Sequence, residues 1–109
     1  MANYADDRRH EERFATPPHV ECAFASPVLE DFGRIKVTSI SRTGIGLLAA
    51  EALAPGMLLS VKLVNPTRDF AKNLLVRVVH VTQQKGAAFL VGGTLDSPLT
   101  YEEICALTM

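Results

Sequence analysis

Lys36–Ala50, with the sequence KVTSISRTGIGLLAA, decides the fold because a polar corner separates two apolar runs within it. Ile35 and Val37 alternate as in a strand, but the next bulky apolar residue is Ile40, so the pattern predicts a bulge or bend. The corner, Ser41–Gly44, combines hydroxyls that bond nearby backbone groups with a glycine that permits close approach. Such a corner can hold a ligand through exposed N–H donors, although Gly/Ser corners more often serve only as turns.

The remaining sequence predicts four further strands and one helix. In all, strands are expected at about residues 20–24, 33–41, 44–50, 59–64, 74–82 and 87–94. Pro55-Gly56 has the chemistry of a type II turn, and the last two strands are expected to form an antiparallel hairpin. Thr100 and Glu103 have the spacing of a capping box, which predicts a helix from Tyr101 to about Thr108. This order indicates an all-β fold, a small six-stranded antiparallel β-barrel with a short C-terminal α-helix.

Length and composition limit the organisation of the chain and its class of function. With 109 residues it forms one domain, and a net charge of −1 provides no overall field to attract long nucleic acid or an anionic membrane. Pro17-Pro18 blocks a continuing helix, so residues 1–18 are expected to be a flexible charged arm before a barrel at residues 19–109. No apolar run approaches the roughly 18 residues of a membrane span, and the charged N-terminus is unlike a secretory signal, so a cytoplasmic protein is expected.

The arm contains a pair of arginines with a common orientation. Arg9 and Arg13 are four residues apart, which puts their side chains on the same side of either a helix or a strand. Arg8 points elsewhere. A plainer alternative is a solvated run of charges in which Arg8 pairs with Glu12 and nothing is bound.

Two short motifs resemble those of a known family. The stretch Arg9–Arg13 has the form RxxxR, and Ser39–Gly44, SISRTG, is similar to the motif (D/N)xSxxG. In this order and at this separation, the two motifs resemble the signature of PilZ domains. The resemblance implies a six-stranded barrel with a C-terminal helix that binds the bacterial second messenger cyclic di-GMP and needs no cofactor. It also implies a protein partner that responds to the bound state, while neither that partner nor the oligomeric state follows from the sequence.

The resemblance also implies roles for individual residues. Arg9 and Arg13 match the arginines that grip the guanine and phosphate groups, a task that suits the planar guanidinium fork. Ser41 matches the motif serine, and Gly44 matches the glycine that lets the ligand approach the barrel surface. Arg8 is an additional cation beside the motif and is expected to bind the ligand by reaching a phosphate. The arm is expected to become ordered when the ligand brings its arginines onto the barrel.

Ser39 departs from the family pattern, which has Asp or Asn at this position. A carboxylate accepts two donors from the guanine edge, whereas a hydroxyl accepts fewer. Serine in place of Asp or Asn is therefore expected to cost about 1–3 kcal/mol of binding free energy. Arginine contacts to phosphate, each worth about 1.5–3 kcal/mol, are expected to retain binding. The alternative is a PilZ-like adaptor that has lost the nucleotide and acts through protein–protein interaction.

An enzyme is not expected from this sequence. A nucleophile would have to come from Cys22 or Cys105, and its base from one of the three histidines His10, His19 and His80. Neither cysteine lies in a strand–turn–helix elbow, and Cys22 alternates with apolar neighbours as a buried residue does. The cysteines lack the CxxC or CxxH spacing of a zinc site, so no metal is expected. With no Trp and two Tyr, the sequence also lacks the aromatic residues on which single-stranded RNA stacks.

Overall fold

The computed structural model describes residues 11–25, 33–84, 86 and 88–109. Within these ranges the chain forms seven strands and one helix, namely β1 (Phe14–Ala15), β2 (Glu21–Phe24), β3 (Ile35–Ile40), β4 (Gly44–Ala49), β5 (Leu58–Asn65), β6 (Phe70–Gln83), β7 (Phe89–Leu95) and α1 (Tyr101–Thr108). A single 3₁₀ turn at Pro66–Arg68 joins β5 to β6.

The strands form one antiparallel sheet in the order β1-β3-β4-β7-β6-β5-β2. Because β2 pairs with β5 and also packs against β3, the sheet curls into a half-barrel. The predicted all-β fold with a C-terminal helix is confirmed. The predicted number of six strands is corrected to seven, since Phe14 and Ala15 pair with Ile40 and Ser39 of β3. A strand of two residues is too short to produce an alternating pattern in the sequence.

Two local predictions are confirmed by the hydrogen bonds. At the Pro55-Gly56 turn, the Met57 N–H donates to the Ala54 carbonyl over 3.1 Å, and Gly56 has the positive φ of 94° that such a turn requires. At the start of α1, Thr100 Oγ1 accepts from the Glu103 N–H at 3.1 Å, and the Glu103 carboxylate accepts from the Thr100 N–H at 2.9 Å. The helix therefore begins at the capping box that the sequence contains.

Aliphatic side chains fill the interior of the half-barrel. The largest fully buried ones are Val37, Ile40, Ile45, Leu47, Leu59, Val61, Leu63, Val76, Val78, Val91, Leu99 and Leu107. Burial of each of these side chains away from water contributes about 1.5–3 kcal/mol to the free energy of folding. The helix is held over this core by Leu107 and by the Asn65 side-chain amide, which donates to the Ala106 carbonyl over 2.7 Å. The inward faces of the strands thus supply the stability, and their outward faces are left for binding.

The bulge predicted in β3 is confirmed. The register between β3 and β4 shifts between Val37 and Ser39, so Thr38 is the extra residue in the strand. Both hydroxyl groups, of Thr38 and Ser39, lie over Gly46 in the neighbouring strand, where an added Cβ would be 2.8 Å from each hydroxyl oxygen. The bulge therefore turns two polar side chains onto the outer surface beside the corner.

Candidate ligand-binding site

The corner between β3 and β4 is held by its own serine. The Ser41 N–H donates to the Gly44 carbonyl over 2.9 Å, and the Gly44 N–H donates to Ser41 Oγ over 3.0 Å. Ser41 is only 2% exposed, which makes it one of the few buried polar residues in the described part of the chain. This closed turn directs the backbone N–H and the hydroxyl of Thr43 outwards, so the corner presents donors to the surface.

A carboxylate from the arm occupies these donors. Glu11 Oε1 accepts from Ser41 Oγ at 2.6 Å, from the Thr43 N–H at 3.1 Å and from Thr43 Oγ1 at 2.7 Å. Its other oxygen, Oε2, lies 2.8 Å from Thr43 Oγ1. Partial burial alone would raise the pKa of Glu11, but the hydrogen bonds from Ser41 and Thr43, together with nearby Arg13, lower the pKa below its ordinary value. The corner therefore binds an anion through neutral donors.

Arg13 lies beside the corner because β1 pairs with β3. Its Nη1 donates to Ser39 Oγ over 3.1 Å, across 26 residues of sequence. Its Nη2 lies 3.1 Å from the point that a Cβ on Gly44 would occupy, so the glycine makes room for the guanidinium. The Thr16 N–H and hydroxyl fix the same segment by donating to the carbonyls of Thr38 and Val37 at 3.1 and 3.0 Å.

The structure thus brings together four of the six predicted site residues, Arg13, Ser39, Ser41 and Gly44. The other two, Arg8 and Arg9, lie outside the described residues, as does His10. Their roles in ligand binding stay predictions, and so does the ordering of the arm by the ligand.

A second bulge adds an imidazole to the same outer surface. The register between β6 and β7 shifts between Val78 and His80, and His80 pairs with Gly92, where an added Cβ would lie 2.5 Å from the ring nitrogen Nε2. Gly92 in turn pairs with Gly46 of β4. The ring therefore lies over a strip of glycines, across from Arg13, in a cleft of about 200 Å³ whose lining also includes Gly44 and Gly93.

Three residues of this site were missed from the sequence as ligand-site candidates. Glu11 lies inside the RxxxR motif and Thr43 inside the SxxG motif, at positions that the motifs leave open. His80 was considered only as a catalytic base. The close spacing of Ser41 and Thr43 within the Ser41–Gly44 corner was a usable signal for an anion site, whereas the pairing of His80 with Gly92 depends on strand register.

The two largest of the clefts that the described residues form lie elsewhere. One of about 590 Å³ is lined by Cys22, Arg34 and Lys36, and one of about 720 Å³ lies between Phe14 and Tyr101. Neither includes Arg13 together with Gly44, so volume does not identify the site here. Burial raises the pKa of Cys22 to about 12, which keeps its thiol protonated and unreactive at neutral pH.

Two further findings concern only the ranges that the structure describes. No group of three or more His, Cys, Asp or Glu side chains is placed to hold a metal ion there. None of the helices in the same ranges combines the length and apolar character needed to cross a membrane.

Comparison with protein families gives a match over most of the chain. The family model described as PilZ domain matches residues 7–100, which include both motifs. The chain belongs to the PilZ domain family. PilZ domains are receptor domains for cyclic di-GMP, and they act as binding or adaptor modules rather than as enzymes. Searches among curated proteins and among solved structures gave no match.

Both PilZ motifs of this chain contribute residues to the site at the corner. In this PilZ domain the first motif contributes Arg13 and Glu11, and the second contributes Ser39, Ser41 and Thr43. The contacts described above are therefore contacts between the two motifs.

Proposed function

We propose that this PilZ domain is a cytoplasmic receptor for cyclic di-GMP in bacterial second-messenger signalling. The observation that carries the proposal is the contact of Arg13 with Ser39 and its position over Gly44. One motif thereby supplies a cation directly beside the donors of the other. Arg9, as the second arginine of the motif, and Arg8 join this site in the proposal.

The chemistry of the surface supports a cyclic dinucleotide. A guanidinium offers parallel donors to a phosphate or to guanine O6 and N7, and it stacks on a purine. The strip formed by Gly44, Gly46 and Gly92 has no side chains of its own, so the Arg13 guanidinium, the Ser39 hydroxyl and the His80 ring lie directly over the strands, where they can contact a base. The donors at Ser41 and Thr43 suit a phosphate oxygen.

The arm supplies a route from ligand to partner. Residues 14–16 are bonded to β3, and the residues just before them carry the cations of the first motif. Binding of an anion to those cations changes the surface that the arm presents. In the proposal, a protein partner recognises this altered surface and thereby responds to the bound ligand.

Isothermal titration calorimetry with cyclic di-GMP tests the proposal. We expect a dissociation constant below about 100 µM, and no heat at that ligand concentration would refute binding. Arg13→Ala removes a charge-assisted contact and is expected to weaken binding about ten- to a hundredfold. Arg68→Ala, which removes an exposed arginine in the turn between β5 and β6, is the matched control and should leave the affinity unchanged.

A second candidate is an adaptor that binds a protein without the nucleotide. It is favoured by the Glu11 carboxylate, which already fills the donors of the corner, and by Ser39 in place of Asp or Asn. Thermal melting distinguishes the two candidates. A ligand at a hundredfold excess over its dissociation constant adds about 2.7 kcal/mol to the free energy of unfolding, which raises the melting temperature by several degrees. A melting temperature unchanged by cyclic di-GMP, with a captured protein whose binding Arg13→Ala leaves intact, would favour the adaptor.

A further inference from the structure

The Ser41–Thr43 corner has the properties of a built oxyanion site. Three donors, the Ser41 hydroxyl, the Thr43 N–H and the Thr43 hydroxyl, converge on one carboxylate at distances between 2.6 and 3.1 Å. The Ser41 oxygen is fixed by the turn itself, because it also accepts from the Gly44 N–H. Hydrogen bonds from neutral donors to an ionised acceptor are among the stronger ones in proteins.

We infer that Glu11 is an internal competitor for this oxyanion site, which it must leave before a phosphate of the dinucleotide can bind there. The inference rests on the proposed function and adds two residues to it. Thr43 becomes a ligand-binding residue, through both its N–H and its hydroxyl. Glu11 becomes the residue that sets the ligand concentration at which the domain responds.

The competition follows from geometry and charge. Carboxylate and phosphate oxygens accept the same donors, and the Thr43 N–H provides only one hydrogen. A carboxylate left in the corner would also repel a phosphate brought there by Arg13. Because Glu11 is tethered two residues from Arg13, its effective concentration at the corner is on the order of millimolar or more.

The same segment therefore carries the groups that attract the ligand and the group that excludes it. Arg13 reaches Ser39 and Gly44 while Glu11 fills the adjacent donors. Exchange of the Glu11 carboxylate for a phosphate releases this tether of the arm to the corner. The exchange thus links ligand binding to the position of the arm.

The test compares Glu11→Gln with Glu12→Gln by calorimetry with cyclic di-GMP. Both variants remove one negative charge from the arm, but Glu12 is exposed and only Glu11 bonds to the corner. We expect Glu11→Gln to bind at least tenfold more tightly than the wild type and Glu12→Gln to stay within about threefold. Equal or weaker binding by Glu11→Gln would overturn the inference, because Glu11 would then support the site rather than compete for it.

A second measurement separates this inference from the proposed function. If no variant binds cyclic di-GMP, the proposed ligand is wrong, and inorganic phosphate is then titrated while the Thr43 amide resonance is followed by NMR. A shift in Glu11→Gln that is absent from the wild type supports an oxyanion site occupied by Glu11. The absence of a shift in both proteins, or an equal shift in both, would overturn it.

Discussion

Replacement of Ser39 by Asp is expected to strengthen the binding of cyclic di-GMP. In the structure Ser39 Oγ accepts from Arg13 Nη1 at 3.1 Å, and its neighbour across the bulge is Gly46, which has no side chain to oppose a larger residue. A carboxylate fits over this glycine and can accept both donors of a guanine edge, which a hydroxyl cannot do as well. One additional good base contact is worth about 1–3 kcal/mol, so we expect an affinity gain of about ten- to a hundredfold.

Calorimetry on Ser39→Asp, Ser39→Asn and Ser39→Ala measures this effect. Asn has the size of Asp with a single acceptor oxygen, so its gain should be intermediate, and Ala should bind more weakly than the wild type because Arg13 loses a partner. An exposed ion pair with Arg13 contributes only about 0–1 kcal/mol to folding, so the stability of Ser39→Asp should change little. Weaker binding by Ser39→Asp than by Ser39→Ala would refute the reasoning, since the carboxylate would then hold Arg13 away from the ligand.

Two further predictions concern the same surface. Because the folded-state pKa of Glu11 is lowered, its docking should stabilise the domain above the ordinary carboxyl pKa of 4.5 and lose that effect as the pH falls through the lowered value. Urea unfolding between pH 7 and pH 3 should therefore show a smaller fall in stability for Glu11→Gln than for the wild type, and identical falls would contradict the contact. Gly93→Ala should destabilise the domain by about 1–3 kcal/mol in thermal melts, because the new Cβ would lie 2.5 Å from Cγ1 of the buried Val76 and 2.9 Å from the Arg77 carbonyl oxygen, which the sheet holds in place. At Gly92 the three atoms nearest to an added Cβ all belong to the movable His80 ring, so Gly92→Ala should cost less, and the reverse order would contradict the packing.

Features encoded in short stretches were predictable from the sequence. The bulge before Ser39 appears as a break in the alternation of apolar residues, and the start of α1 appears as the spacing of Thr100 and Glu103. The curled antiparallel sheet was expected from several strands joined by turns, although as a closed barrel of six strands rather than a half-barrel of seven. Such signals are local, because they arise from backbone periodicity and from side chains that bond to nearby backbone groups.

Features that depend on pairing between distant segments were not predictable in the same way. β1 has only two residues, and its partner strand lies more than twenty residues away. The position of His80 over Gly92 depends on the register and on a second bulge, and a shift of one residue would turn the ring to the other face. Glu11 was missed because the motif directs attention to the arginines, whereas its role depends on where the arm lies.

An NMR titration of the wild-type domain with cyclic di-GMP tests the central claim most directly. The account predicts that the amide resonances of Thr43, Gly44, Gly46 and Gly92 shift in a saturable manner, because these residues form the corner and the glycine strip. It also predicts no shift for Cys22 and its neighbours in the cleft of about 590 Å³. Shifts confined to that cleft, or no shifts at ligand concentrations of about 100 µM, would contradict the claim that the arm arginine and the corner together bind the dinucleotide.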